Sequence, residues 1–288
     1  MLFKDQSLSD ELRNNGYVVI PFLNPADILK LNEFYSTLHN GDDPPNFTED
    51  IHMTTWCSDS EYKKKVSSGL SDIFTGASDR FFQNYRRLNN VFIVKKSGKQ
   101  TTFKVHQDWN VVDETKHESV NVWVPLHDVN EQSGALWVLK KSHKIGRHIR
   151  GSGYLFPEYG PHLQALQDKA ISVKLKAGEA IVFYHSVIHG SPPNMASFNR
   201  KAACFTVLQK ETPLCIYYQP SAGEPLKQYE PDDDFIYNYA NLRRDSTTQP
   251  PAEQPVKTVR SYENKAVELK ELLPFLKEKK RWFDIFRS

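Results

Sequence analysis

The residues with the clearest chemical potential are two histidines and an aspartate. His106 and Asp108 stand two apart in His106-Gln-Asp108, directly after the strand-like stretch 101–105. Residues i and i+2 of an extended segment point to the same face, so both side chains can reach one metal ion. One more histidine would complete a facial triad, which leaves positions open on iron(II) for a bidentate cosubstrate and oxygen. The pattern therefore predicts a non-haem iron centre.

Two histidines could supply the third ligand. His185 and His189 follow the apolar run 180–184 and share the same parity along a strand, so spacing alone does not choose between them. Two observations favour His189. It precedes Gly190-Ser191, where the chain can turn sharply near a metal, and Arg200 follows eleven residues later. We therefore expect His189 to bind the metal and keep His185 as the alternative.

Arg200 stands at the head of the next β-rich run. Arginine is well suited to hold a carboxylate, because its planar guanidinium forms a two-pronged hydrogen-bonded pair with that group. Arg200 thus supplies what a dicarboxylate cosubstrate requires.

These residues lie in a stretch of short predicted strands. From about residue 90 to 220, β-branched and aromatic runs alternate with turn residues. The predicted strands cover residues 91–94, 101–105, 120–126, 135–139, 171–175, 180–184 and 203–208. Such regular short strands are typical of an all-β barrel or sandwich. The metal site is therefore expected on a β scaffold.

Helices are predicted on either side of this scaffold. Residues 9–14 favour a helix and residues 16–22 a strand, and a second helix begins at Asn24-Pro25, where Asn suits the N-cap and Pro the first turn. The remaining predicted segments are a loop at 41–58, an irregular arm at 220–260 and a helix at about 262–286. We expect one domain, with its β core at about 90–220, N-terminal support in 1–89 and a C-terminal arm and helix in 221–288.

The composition excludes several classes of protein. The 288 residues are 39% hydrophobic and carry a formal net charge of +2, which suits a globular domain and gives no basic stripe for nucleic acid. The three cysteines form no CxxC pair, which favours a reducing cytoplasm. We find neither a secretory signal pattern nor a run of ~18 apolar residues, so we expect no transmembrane segment. The sequence carries no signal for an oligomeric state.

Taken in order, the motifs resemble the phytanoyl-CoA dioxygenase family over about residues 12 to 220. The motifs are His106-Gln-Asp108-Trp109, the stretch 122–128 leading to Ser133-Gly-Ala-Leu136, Lys141-Ser-His-Lys144, and His189-Gly-Ser191 with Asn194 and Arg200. The resemblance implies a double-stranded β-helix of two antiparallel sheets, a jelly-roll or cupin-like core with flanking N- and C-terminal helices that support the larger sheet. It also implies a dioxygenase that uses iron(II), 2-oxoglutarate and O2 and releases succinate and CO2.

The resemblance assigns roles to individual residues. It implies that His106, Asp108 and His189 bind the iron and that Arg200 pairs with the distal carboxylate of 2-oxoglutarate, with Ser191 adding a hydrogen bond. Halogenating relatives replace the carboxylate ligand by a small residue, whereas Asp108 is present here. We therefore expect hydroxylation of an unactivated C–H bond. Desaturation, cyclisation or epimerisation on the same centre and a non-catalytic cupin-like binding module are the alternatives.

The substrate is expected to be a small or carrier-bound metabolite. Candidate substrate contacts are Trp109, Lys104, Trp123 and Asn194, although tryptophans in a β-barrel are more often core residues and Lys104 could be solvated. Cationic side chains that hint at an anionic or zwitterionic substrate are Lys104, Arg147, His148 and Arg150. Segments expected to close over the site are 41–60, 110–118, 145–168 and 220–245.

Two further features of the sequence are a departure from the family pattern and a basic C-terminal tail. Many members of the family carry Pro-Gly before Ser-His, where this chain has Lys140-Lys141, so the tight turn that glycine allows is expected to be absent. The basic and aromatic residues 277–287 are expected to pack against their own domain, with docking to a membrane surface or a partner as the alternative.

Overall fold

A computed structural model describes residues 2–41, 43–44, 50–98, 101–145, 148–155, 159–238 and 250–276. Its strands, in chain order, are β1 (Tyr17–Pro21), β2 (Ile51–Met53), β3 (Tyr85–Lys95), β4 (Phe103–His106), β5 (Ser119–Pro125), β6 (Leu136–Val138), β7 (Ser152–Gly153), β8 (Ile171–Val173), β9 (Glu179–Tyr184), β10 (His189–Ser191), β11 (Arg200–Gln209), β12 (Ile216–Gln219), β13 (Leu226–Tyr229) and β14 (Lys257–Val259). Its helices are α1 (Gln6–Asn15), α2 (Pro25–Leu38), α3 (Ser60–Phe81), α4 (Leu163–Lys169), α5 (Phe235–Asn238) and α6 (Leu269–Leu276). Among these residues no helix has both the length and the apolar character needed to cross a membrane.

Two antiparallel sheets form the core. The larger sheet has the strand order β1-β9-β5-β11-β3-β2, and the smaller has the order β4-β10-β6-β8. Within them, β3-β11-β5-β9 and β4-β10-β6-β8 give the eight strands of a double-stranded β-helix. The predicted fold class is therefore confirmed, and every strand predicted from the sequence overlaps an observed one.

The central strands of the larger sheet are buried on both faces. Along β11, Phe205 belongs to the cluster under the N-terminal helices, whereas Cys204 belongs to the cluster between the sheets. In β5, Val122 belongs to the cluster under the N-terminal helices and Trp123 to the cluster between the sheets. Because consecutive residues of a strand face opposite sides, two covered faces require the continuous apolar runs seen in the sequence.

Helix α3 covers the outer face of the larger sheet, and the sequence analysis did not predict it. Asp59 caps its N-terminus, and its buried residues Val66, Leu70 and Phe74 recur every four positions. Gly69 and Gly76 lie outside this buried pattern, but they lower the helix propensity of the segment. Packing requires glycine at position 69, since a Cβ there would lie 2.2 Å from the Phe34 ring of α2.

The C-terminal region differs from its prediction in two ways. Residues 220–260 were expected to be irregular, but β13 and β14 pair antiparallel in a third sheet of order β14-β13-β12-β7. Helix α6 was expected on the larger sheet, but its Leu272 packs with Leu166 of α4 and Ile188 beside the smaller sheet. The predicted continuation of this helix, with the basic aromatic tail, lies outside the described residues.

The turn after β6 keeps a tight form without glycine. Lys141 adopts the left-handed conformation with φ of 71°, and its backbone N–H donates to the Asn15 carbonyl at 2.7 Å. The following residues 142–144 form a 3-10 turn. The expected loss of the tight turn is therefore wrong, because a lysine takes the strained conformation that glycine takes at no steric cost.

Candidate metal centre

His106 and His189 come together because their strands are neighbours. His106 ends β4, His189 begins β10, and the two residues are paired in the antiparallel register. Gly190 permits the close approach, since a Cβ at that position would lie 2.6 Å from the Phe103 carbonyl oxygen. The backbone N–H of Asp108 donates to the His185 carbonyl at 3.0 Å, which fixes the third side chain beside the pair.

The geometry of the three side chains suits a divalent metal. Their ligand atoms all lie within 4.8 Å of one another. Nε2 of His106 is 3.7 Å from Oδ1 of Asp108, and Nε2 of His189 is 3.6 Å from Oδ2. Nδ1 of each histidine lies 2.8–3.0 Å from a backbone carbonyl, so Nδ1 carries the proton and Nε2 keeps its lone pair for a metal. Two nitrogens and one carboxylate are the donor set of a facial triad.

Charge at the centre is arranged for cation binding. Burial raises the pKa of Asp108, but His189 and His106 outweigh that effect and hold the pKa below its usual range. Burial lowers the pKa of His189 to about 4. An ionised carboxylate beside a neutral imidazole is the protonation state that a divalent cation requires.

A layer of polar groups behind the ligands fixes Asp108. Asn121 donates to Oδ2 of Asp108 at 2.7 Å, and Thr206 donates to the Asn121 side-chain oxygen at 3.0 Å. The guanidinium of Arg150 donates through Nε to the Asp108 carbonyl at 2.6 Å and also binds Glu114. Asn121 was missed in the sequence analysis, although a lone amide within an apolar strand is a usable signal.

His185 is buried beside the cluster but does not belong to it. Its Nδ1 lies 2.9 Å from the Ser119 hydroxyl, and its Nε2 lies 3.5 Å from the Thr206 hydroxyl. Equal strand parity would require His185 and His189 to lie on one strand, whereas the chain turns between β9 and β10. The geometry thus favours His189 over His185.

Arg200 is a buried cation with spare hydrogen-bonding capacity. It is 1% exposed, and its guanidinium lies 5.1 Å from the centre of the Trp123 ring. Within the described parts of the chain, its Nε and Nη1 have no hydrogen-bond partner. Burial lowers the pKa of Arg200 to about 10, so the side chain remains charged at neutral pH. An anionic group is the partner that such a site fits.

A cavity of about 930 Å³ joins the triad to Arg200 and Ser191. Each of the four segments expected to close over the site contributes lining residues, such as Trp56, Val111, Tyr159 and Phe235. The candidate substrate residues Trp109, Lys104 and Trp123 also line it.

Three residues proposed from sequence as polar substrate contacts have other positions. Asn194 does not line the cavity, because its amide donates to the carbonyls of Lys95 and Phe198. Arg150 is 1% exposed and occupied by the contacts described above. His148 lies 3.5 Å from Glu271, on α6. Arg147 lies outside the described residues, so Lys104 remains as the cation at the cavity from that group.

The same fold occurs in solved non-haem enzymes. The epimerase SnoN in complex with Fe3+, alpha ketoglutarate and nogalamycin RO matches with a TM-score of 0.52 and 14% identity, over 87% of this chain and 93% of that chain. The alpha ketoglutarate-dependent carbocyclase SnoK from nogalamycin biosynthesis matches with a TM-score of 0.50 and 18% identity, over 73% and 86%. The strand order and the structural similarity to these two enzymes place the fold in the cupin-like, double-stranded β-helix class.

The sequence comparisons narrow this class to a family. The family model for phytanoyl-CoA dioxygenase matches residues 12–202, so the chain belongs to the phytanoyl-CoA dioxygenase family. A phytanoyl-CoA dioxygenase of Arabidopsis thaliana is 29% identical over 160 residues, which cover 53% of this chain and 52% of the relative. The match therefore spans about half the length of that relative.

Proposed function

We propose that this chain is an iron(II)- and 2-oxoglutarate-dependent oxygenase. The observation that carries the proposal is the buried guanidinium of Arg200, whose Nε and Nη1 have no hydrogen-bond partner among the described residues, on the wall of the cavity that also holds the His106, Asp108 and His189 side chains. A dicarboxylate that chelates the metal through its keto-acid end would place its other carboxylate beside such a cation. A buried cation is strongly stabilised by a charged partner.

Each residue has a defined task in this proposal. His106, Asp108 and His189 hold the metal, Arg200 and Ser191 bind the distal carboxylate, and the apolar walls keep water from the reacting atoms. Bound iron(II) supplies O2 activation, with 2-oxoglutarate converted to succinate and CO2 as one oxygen atom is transferred. The protein contributes orientation and a fixed electrostatic environment.

Hydroxylation of an unactivated C–H bond is the proposed reaction. Asp108 retains the carboxylate position of the triad, which leaves no room for a halide in its place. Desaturation, cyclisation and epimerisation use the same centre, and the mass of the product distinguishes them, because only hydroxylation adds an oxygen atom to the substrate.

The cavity favours a substrate with a largely apolar body. Aromatic and aliphatic side chains dominate its lining, with Trp56, Trp109 and Phe235 from three separate segments. Besides the triad, His185 and Arg200, Lys104 is the ionisable cation among the described lining residues, and it is exposed. A small or carrier-bound molecule with one anionic group near Lys104 is the substrate we propose.

We also propose that the residues on either side of the β core belong to one oxygenase domain. Ile216 of β12 and Phe235 of α5 both line the cavity, although they follow the last core strand. The C-terminal arm therefore completes the site that β4, β10 and β11 build.

Arg200 gives the most direct test of this function. Hydrogen bonds to charged groups contribute roughly 1.5–3 kcal/mol, and each 1.4 kcal/mol is about a factor of ten in affinity. Arg200→Ala should therefore weaken 2-oxoglutarate by about ten- to several-hundred-fold, measured from the anaerobic charge-transfer absorbance of the iron complex. Arg200→Lys should recover part of the loss, since it restores charge without the two-pronged geometry. Undiminished 2-oxoglutarate affinity in Arg200→Ala would remove the main support for this function.

A further inference from the structure

Lys95 is a second buried cation next to Arg200. The two residues end β3 and begin β11, and they are paired in the antiparallel register. Lys95 is 0% exposed. Among the described residues, neither cation has a nearby acidic group that acts on its charge, and Arg200 is the charged neighbour of Lys95. Two basic side chains are thus buried together on one side of the cavity.

The Lys95 ammonium group is held by oxygen atoms at the start of the segment after the metal ligand His189. Nζ donates to the Ser191 hydroxyl at 2.6 Å and to the Pro192 carbonyl at 2.6 Å. Ser191 lines the cavity, whereas Lys95 lies behind it. A hydroxyl that accepts a hydrogen bond keeps its own hydrogen available for donation. The contact therefore orients Ser191 as a donor toward the cavity.

The surrounding backbone is shaped to hold this lysine. Gly134 has a φ of 77°, and a Cβ there would lie 3.3 Å from Cδ of Lys95 and 3.2 Å from the Pro192 carbonyl oxygen. Asn194 binds the Lys95 carbonyl through its amide at 3.1 Å. A solvated lysine needs no such enclosure, so the position is specific for a buried side chain.

We propose that Lys95 is a positioning residue for the distal carboxylate of 2-oxoglutarate: it orients the Ser191 hydroxyl and adds a second positive charge behind Arg200. The inference rests on the proposed function and explains why the cosubstrate must be a dicarboxylate. A mono-acid such as 2-oxopentanoate can chelate the metal but leaves both cations unpaired.

The charge of Lys95 depends on whether the dicarboxylate is bound. Burial and the neighbouring Arg200 lower the pKa of Lys95 to about 6. A carboxylate bound between Arg200 and Ser191 would favour the charged form of Lys95, as a nearby opposite charge does in general. The bound dicarboxylate and the charged lysine therefore stabilise each other.

The test compares two keto acids on the full-length protein. Lys95→Met removes the charge, and Lys95→Gln keeps a hydrogen-bond donor for Ser191 without the charge. Lys63→Met is the matched control, because Lys63 is also buried, at 2% exposure, but lies on α3 and does not line this cavity. Dissociation constants of 2-oxoglutarate and 2-oxopentanoate would be measured by anaerobic calorimetry on protein loaded with manganese(II).

In the parent protein, 2-oxoglutarate should bind much more tightly than 2-oxopentanoate. Lys95→Met should weaken 2-oxoglutarate about ten- to one-hundred-fold and leave 2-oxopentanoate unchanged, so the preference collapses. Lys95→Gln should keep the Ser191 contact and lose an intermediate amount, which carries the test if Lys95→Met does not fold. Lys63→Met should keep the parental preference.

Two outcomes would overturn the inference, and a third would overturn the proposed function. Equal loss for both keto acids would show that Lys95 only maintains structure, and an unchanged preference in Lys95→Gln and Lys95→Met would show that it plays no part. Failure of the parent itself to bind 2-oxoglutarate in the presence of metal would instead overturn the proposed function. The two failures are therefore distinguishable in one experiment.

Discussion

The two histidines on either side of residues 186–188 differ in what their ring nitrogens contact. His189 uses Nδ1 for a backbone carbonyl and leaves Nε2 facing Asp108. His185 places both ring nitrogens near the hydroxyl groups of Ser119 and Thr206. Through Thr206 and Asn121 it is connected to Asp108 without facing the metal position.

This difference predicts unequal effects of the same substitution. His189→Ala should abolish tight binding of manganese(II), because one of three ligands is lost. His185→Ala should retain metal binding with an affinity loss of about ten- to one-hundred-fold at most, the range seen when groups behind a ligand are removed. Calorimetry with manganese(II) on both variants measures this. The reverse order of losses would assign the third ligand to His185.

Residue-scale prediction from sequence works where the geometry is local. The same-face placement of His106 and Asp108 needs only the strand period, and Arg200 follows from the chemistry of its guanidinium. The choice between His185 and His189 depends on a turn between two strands, which parity does not reveal. Lys95 stands before Lys96 in the sequence, and only the fold shows which of the two is buried.

At the scale of elements, the turn after β6 combines strain with function. Lys141 holds a left-handed conformation. The hydroxyl of the next residue, Ser142, accepts a hydrogen bond from the Ile188 backbone N–H at 2.7 Å. Ile188 precedes the ligand His189. The turn therefore helps to fix the start of β10.

Relieving this strain should stabilise the protein. A non-glycine residue in the left-handed region costs about 1–2 kcal/mol, and the extra freedom of unfolded glycine offsets about 0.5–1 kcal/mol of that. Lys141→Gly should thus raise the free energy of unfolding by about 0.5–1 kcal/mol in urea titrations. Lys140→Gly is the matched control, whose φ is not positive, and it should lower stability by about 0.5–1 kcal/mol. Destabilisation by Lys141→Gly would show that its side chain contributes more than the strain removes.

The sequence predicts the elements that have a clear apolar pattern and no opposing local signal, such as the core strands, but not α3, β13 and β14. The core strands are apolar runs because both of their faces are covered. Helix α3 was missed because Gly69 and Gly76 lower its helix propensity. Gly69 is required there by the Phe34 ring of another helix, which leaves no space for a Cβ. Strands β13 and β14 are short and mostly polar, so their pairing depends on tertiary contacts that no local pattern encodes.

For the whole molecule, the site connects parts of the chain that are far apart in sequence. Metal would bind residues from β4, β10 and the segment after β4, and the cosubstrate would add Arg200 from β11. A ligand that binds only the folded state stabilises it by about 2.7 kcal/mol at one hundred times its dissociation constant. The stability of the whole fold should therefore increase when metal and cosubstrate bind the complete site.

Manganese(II) with 2-oxoglutarate should raise the melting temperature by about 5–10 °C, given about 2–4 °C per kcal/mol for a chain of this size. Differential scanning calorimetry measures the shift. The control is 2-oxoglutarate without metal, which lacks its chelating partner and should shift the transition much less. An equal shift without metal would indicate that the keto acid binds away from the triad.

The position of the C-terminal arm in the chain has a consequence for how this protein could diversify. The triad, Arg200 and Ser191 all lie within residues 12–202, which the family model covers, whereas Leu214, Ile216 and Phe235 of the cavity wall lie beyond that range. Insertions, deletions or exchanges in this later stretch can reshape the wall while every proposed ligand to metal and cosubstrate keeps its place. Recombination at the end of β11 would thus change the proposed substrate pocket and leave the proposed metal and cosubstrate ligands unchanged.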